Sequence, residues 1–108
     1  MPRRGAASDV FSAIADPTRR RLLDLLSERE RDVSDLAACF EISLPAVSQH
    51  LAALKDAGLV DSRREGRRVF YRVEPRGMKP LIDWIAYYQA FWTEHIGRLE
   101  QLLENMDE

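Results

Sequence analysis

Cysteine is nearly absent from this sequence. The single Cys39 excludes an intramolecular disulfide and any multi-cysteine metal site. There is no run of about 18 apolar residues, the length a membrane-spanning helix needs. The opening residues, MPRRGAASDVF, carry charge but no apolar signal core behind it, so export is not expected and a cytoplasmic location is. A G-x-S-x-G elbow and a glycine-rich phosphate loop are both missing. Ser48 and His50 stand two apart on a helix and cannot face each other as nucleophile and base. No catalytic residue is assigned, and no enzyme is expected. Repeats, low-complexity tracts and interdomain linkers are lacking too. What remains, 108 residues that are 45% hydrophobic and 31% charged, fits one soluble globular domain over residues 1–108.

The net charge of −2 is weak evidence against a polyanionic partner, because it is unevenly spread. Residues 1–80 hold 15 Lys and Arg against 12 Asp and Glu, while residues 81–108 hold one Arg against six acids. A polyanion responds to the local field, which decays within about 8–10 Å at physiological salt. A basic front and an acidic back are compatible.

Along the chain, residues 1–8 read as a loose arm, with phosphate contact by Arg3 and Arg4 as the alternative. Val10, Phe11 and Ile14 begin a short helix. In DPTRRRLLDLL, Asp16 is placed to cap a second helix and Pro17 to fill its first position. Leu22, Leu23, Leu25 and Leu26 give that helix a wide buried face, and the charged SERERD after it is expected to be an exposed turn. A third helix is expected from a cap at Ser34, with Leu36 and Phe40 on one face. Ser43 caps the fourth, Pro45 falls in its first turn, and Gly58 ends it. Val47, Leu51 and Leu54 recur at four- and three-residue spacing and must be buried together. The tight connection around Glu41–Ser43 makes helices three and four a helix-turn-helix pattern.

The period then changes. Val69, Tyr71 and Val73 alternate with Arg68, Phe70 and Arg72, which predicts a strand. Leu59 to Arg63 is its partner, with a hairpin turn at Glu65-Gly66. One long helix is expected from Lys79 to Asn105. In it Leu81, Ile85, Tyr88, Trp92, His95, Leu99, Leu102 and Met106 form a heptad seam, widened by Trp84, Phe91, Ile96 and Leu103. The preceding 75 or so residues are too few to cover so broad an apolar face on a rod roughly 40 Å long. A second copy of the chain can cover it.

Two stretches carry recognition chemistry. The hairpin tip RREGRR holds Arg63, Arg64, Arg67 and Arg68. Like charges opposed across a hairpin destabilise it, so the cluster makes most sense beside an anion. The plainer reading is a charge-protected edge hairpin; directly after a helix-turn-helix, DNA is the better one, with Arg67 the best single choice for the groove. In the fourth helix, Ser48 and Gln49 suit base edges, and Gln can pair bidentately with adenine. Pro45 and Ala46 are compact enough for close approach, and Ala can meet a thymine methyl. Backbone N–H groups and the helix dipole at this end favour a phosphate. His50, on the flank, has packing and phosphate contact as equal alternatives. Lys55 is assigned at most a backbone contact.

DLAACFEISLPAVSQHLAALKDAGLV followed by RREGRRVFYRV resembles the ArsR/SmtB family of bacterial winged helix-turn-helix repressors, and FSAIADPTRRRLLDLL matches its opening helices. The resemblance covers roughly residues 10–74. It implies a homodimer, paired through the first and last helices, that binds a palindromic operator. The helix corresponding to Ala46–Ala57 would enter the major groove and the Arg-bearing wing would contact flanking DNA. The expected architecture is therefore mainly α with a β-hairpin wing. Its parts are a recognition helix at about 44–57, a wing at about 59–73 and a dimerisation helix at about 79–105. The expected dimer interface comprises Val10, Phe11, Leu81, Ile85, Tyr88, Trp92, His95, Leu99 and Leu102.

The departures from the family matter as much. Where metal-sensing members often carry Cys-x-Cys, this chain has Asp32 and Ser34. A second family metal site would need more than Asp83 and His95; Ile85 occupies the place of its first His, and Arg98 is an anti-ligand. No metal and no cofactor are expected. Cys39 reads as a small packed residue rather than a redox switch. His95 reads as a polar register position, with a pH-sensitive contact as the alternative. Trp84, Tyr87, Tyr88, Phe91 and Trp92 crowd into WIAYYQAFW. The plain reading is helix packing and dimer core; the sharper one is a pocket between subunits for an apolar small-molecule effector. A membrane-surface helix is disfavoured by the acidic flank. The functional expectation is a sequence-specific DNA-binding transcriptional regulator. A winged-helix protein-interaction module without direct DNA readout is the alternative.

Overall fold

Each helix of the body begins at a side chain that accepts a backbone N–H, so the chain's own punctuation sets the element order. The computed structural model describes residues 9–106; Arg3 and Arg4 lie outside them. Asp9 caps α1 (Val10–Ile14), and Asp16 caps α2 (Pro17–Glu28), where Pro17 occupies the first turn and its missing N–H costs nothing. Asp32 caps α3 (Val33–Ala37) and Ser43 caps α4 (Leu44–Asp56). β1 (Arg31–Asp32), β2 (Val60–Glu65) and β3 (Arg68–Val73) form an antiparallel sheet in the order β1-β3-β2. A 3-10 turn over Pro75–Met78 leads into α5 (Lys79–Met106).

Four local expectations need correction. SERERD is not simply an exposed turn: Ser27 and Glu28 finish α2, and Arg31 and Asp32 pair with Tyr71 and Phe70 as a third strand. Asp32 is 6% exposed. A two-residue strand shows no alternation from which to predict it. The cap of α3 is Asp32, which accepts from the Asp35 N–H at 2.8 Å, so Ser34 lies inside the first turn. Cys39 is only half-buried, beyond the end of α3, its thiol donating to the Asp35 carbonyl at 3.6 Å. The residues at the hairpin tip are Gly66 and Arg67, since Glu65 pairs with Arg68. Gly66 has φ +63° and no non-glycine residue among those described has positive φ. That matches a two-residue turn with glycine at its first position.

The core is built from α1 to α4 and the start of β2: Leu22, Leu36, Val47, Leu51, Leu54 and Leu59 are fully buried. Leu25 is only half-buried at its margin. α4 ends in a Schellman motif. The Leu59 N–H donates to Leu54 O at 3.0 Å and the Gly58 N–H to Lys55 O at 2.9 Å, with Gly58 at φ +80°. Leu54 and Leu59 are the apolar pair that accompanies such a stop. In contrast, no residue of α5 is buried. Its first turn reaches the body through the half-buried Leu81, and Trp84 meets Phe11 edge-on with ring centroids 5.9 Å apart. The whole helix is a rod of 28 residues, roughly 42 Å at 1.5 Å per residue.

Candidate nucleic-acid interface

At 100° per residue, burying Val47, Leu51 and Leu54 leaves Pro45, Gln49 and Ala52 on the opposite side of α4. All three are exposed. The flanks differ. Ser48 is exposed and lies on the same side as Lys55, whose ammonium donates to the Ser62 hydroxyl of β2 at 2.8 Å; this flank faces the hairpin. Ala46 and His50 are half-buried on the other side, where Arg19 Nε–H of α2 donates to His50 Nδ1 at 3.1 Å. Ser43 accepts from the Ala46 N–H at 3.2 Å and is a cap. The first turn of α4 holds no acid. Its outward surface is thus short, neutral and hydrogen-bonding, at the positive end of a helix dipole.

The four arginines of the hairpin fall into two classes. Their register opposes Arg63 to Phe70, Arg64 to Val69 and Arg68 to Glu65, so no two arginines face each other and the expected like-charge strain is absent. Arg63 donates to Glu30 at 2.8 and 2.9 Å and to Glu65 at 2.7 Å. The hydrogen bonds to Glu30 and Glu65 push its pKa further up. Arg68 Nε–H donates to Asp32 at 2.8 Å. Both guanidinium groups stack on Phe70, each 4.6 Å from the ring centroid. Arg64 and Arg67 are exposed, and among the described residues no carboxylate pairs with either. Arg63 and Arg68 hold the hairpin to the body; Arg64 and Arg67 keep their charge for something else.

Asp32 joins these parts. One carboxylate oxygen caps α3 while the other receives Arg68 of β3. The Asp35 backbone N–H, then the Arg68 hydrogen bond, hold its carboxyl below the usual value of 3.8. A carboxyl with a depressed folded pKa contributes stability that is complete above the unfolded value and lost as pH falls through the folded one. Asp32→Asn keeps a cap but removes the charge. Thermal melts from pH 7 down to about 2 should show a lower Tm at neutral pH and a flatter acid limb for the variant. Parallel wild-type and variant curves would show the pairing to be without consequence.

A similar cap opens α2. Burial alone would raise the Asp16 carboxyl. The backbone N–H groups of Arg19 and Thr18 outweigh it, with the charge of Arg19 adding, and hold the carboxyl down.

On α5, Ile85, Trp92, Leu99 and Leu102 of the expected dimer interface are about half exposed, Leu81 and Tyr88 less so. Phe11 is exposed beside Trp84, but Val10 is 6% exposed in the chain's own core and is withdrawn from the interface. The body takes the Val10 and Ala13 side of α1 and leaves Phe11 outside it. Trp84, Tyr87, Tyr88, Phe91 and Trp92 stack on one another at 4.8–6.5 Å between ring centroids. An open groove on α5 is lined instead by Ala86, Gln89, Ala90, Thr93 and Glu94. His95 Nδ1 lies 3.0 Å from the Phe91 carbonyl, its ring against the Phe91 ring. Asp83 pairs with Lys79, and Arg98 with Glu94. Among the described residues no His, Cys, Asp and Glu cluster suits a metal, and no helix is long and apolar enough to cross a membrane.

Sequence reasoning missed Arg19, Asp32 and the exposed pair Ile42 and Leu44. The last two had a signal: apolar residues on either side of the capping Ser43, beside the face set aside for contact.

The chain is similar in sequence and fold to known proteins. The model of the family described as bacterial regulatory protein, arsR family, matches residues 16–62. The transcriptional repressor SdpR of Bacillus subtilis (strain 168) is 38% identical over 81 residues, 75% of this chain and 90% of that protein. The crystal structure of a possible transcriptional regulator for arsenical resistance superposes with a TM-score of 0.69 at 44% identity, covering 82% of this chain and 88% of the other. A second crystal structure, of an ArsR family transcriptional regulator, gives 0.73 at 32% identity, covering 83% and 98%.

Proposed function

The chain belongs to the arsR family of bacterial regulatory proteins, and from that premise we propose that this DNA-binding transcriptional regulator is a homodimeric repressor of a palindromic operator. In this reading α4 is the recognition helix, β2 and β3 are the wing, and α5 carries the dimer interface. Gln49 and Ser48 read base edges, Pro45 and Ala46 allow the close approach, and Arg64 and Arg67 contact phosphate or the minor groove. The two half-sites, met from one face, are spaced about 10–11 bp or a multiple. The family consists of transcriptional regulators, not enzymes.

One observation carries the proposal. The outward face of α4 from Pro45 to Ala52 has no acid, and the arginines at the hairpin tip lack carboxylate partners among the described residues. A face meant only for water usually mixes Lys with Glu.

The test is selection of bound duplexes from a random DNA pool, followed by anisotropy titrations of the enriched duplex across salt concentrations. A palindrome bound with dimer stoichiometry is expected. Arg64→Ala with Arg67→Ala should weaken binding at least tenfold and reduce the salt slope by about 2, one for each arginine that no longer meets a phosphate. Arg63→Ala with Arg68→Ala should lower hairpin stability and change the slope less. No enriched sequence, and a salt slope indifferent to all four changes, would favour a protein-interaction module instead.

A further inference from the structure

Arg19 stands in the first turn of α2 and His50 in α4, 31 residues apart in sequence, and the Arg19 Nε–H donates to His50 Nδ1 at 3.1 Å. A ring nitrogen that accepts carries no proton, so the neutral imidazole holds its proton on Nε2, ready to donate. Accepting from a cation polarises the ring and strengthens that second donor. Arg19 keeps both Nη groups. Among the described residues no carboxylate pairs with it, whereas Arg31, Arg63, Arg68, Arg72, Arg76 and Arg98 each pair with at least one. The Asp16 carboxylate nearby accepts from the backbone N–H groups of Thr18 and Arg19. It therefore fixes where Arg19 starts without taking its guanidinium.

We propose that Arg19 and His50 form a composite site for one phosphodiester group of the DNA backbone, Arg19 supplying charge and His50 an N–H donor. The site rests on the reading of α4 as the helix in the major groove. A helix in that groove runs between two phosphate chains. The Ser48 and Lys55 flank of α4 turns toward the hairpin with Arg64 and Arg67, and the His50 flank turns toward α2. The hairpin serves one chain and the Arg19–His50 pair the other.

The experiment compares wild type, Arg19→Gln, Arg19→Lys, His50→Ala and the Arg19→Gln/His50→Ala double variant. Each is titrated by anisotropy with the selected duplex and with a mixed-sequence duplex across salt concentrations, and circular dichroism melts check folding. Arg19→Gln should weaken binding on the order of tenfold on both duplexes and lower the salt slope by about 0.9. Arg19→Lys should restore the slope. The double variant should lose less than the product of the single losses, because the two residues act as a unit. Should Arg19→Gln fold poorly, His50→Ala still tests the site, since it must weaken both duplexes alike. An unchanged slope in Arg19→Gln, with Arg64→Ala still lowering it, overturns the site and leaves the DNA-binding reading intact. A loss confined to the selected duplex also overturns it, by showing that the pair acts on base reading. A wild type without salt-dependent binding overturns both.

Discussion

Replacing Leu99 with glutamate should dissociate the proposed homodimer into monomers and lower affinity for the proposed two-half-site operator by about 10²–10⁴, the factor that linking two binding modules supplies. Leu99 lies in the C-terminal half of the apolar face of α5 and is 55% exposed; Trp92 and Ile96, within two turns of it, are 49% and 54% exposed. A fully buried side chain of this kind contributes about 1.5–3 kcal/mol, so an isolated chain leaves a large driving force unused. A carboxylate in such a seam must be desolvated twice in a symmetric pair, once from each copy. The body should remain folded, because its buried residues lie between Val10 and Val60 and none belongs to α5. Sedimentation equilibrium and circular dichroism together separate the outcomes. A variant that stays dimeric places the interface elsewhere; one that unfolds altogether shows the body to depend on its partner.

Leu51→Ala should have the largest effect on stability, about 2–5 kcal/mol. The side chain is fully buried on the inner face of α4, where α1 and α2 also meet. Truncating the isobutyl group to a methyl there leaves a void that rigid, well-capped helices cannot close. For a domain of this size each kcal/mol lowers Tm by roughly 4–8 °C, so calorimetry should show a drop far beyond error. DNA affinity should fall only as the folded fraction falls, unlike Gln49→Ala, which should alter sequence preference without moving Tm. A loss of affinity in Leu51→Ala at temperatures well below its melt would mean that α4 changes orientation when its anchor is cut.

The candidate site was legible to the extent that it depends on near neighbours. Asp16 with Pro17, Ser43 with Pro45, and Gly58 set the ends of α2 and α4 through contacts within five residues. The spacing of Val47, Leu51 and Leu54 decides which side of α4 faces out, and the seam from Leu81 to Met106 announces an uncovered rod. Capping and periodicity are short-range physics, and a linear sequence displays them directly. Pairing is not. Whether an arginine in RREGRR is free or committed depends on Glu30 and Asp32, 33 and 36 residues away, and on a strand too short to show a pattern. The Arg19–His50 bond likewise spans 31 residues. Those partners meet only after α2, α3 and the hairpin have packed, because hydrogen bonds act over about 3 Å and nothing in local composition says which side chains the core will bring that close.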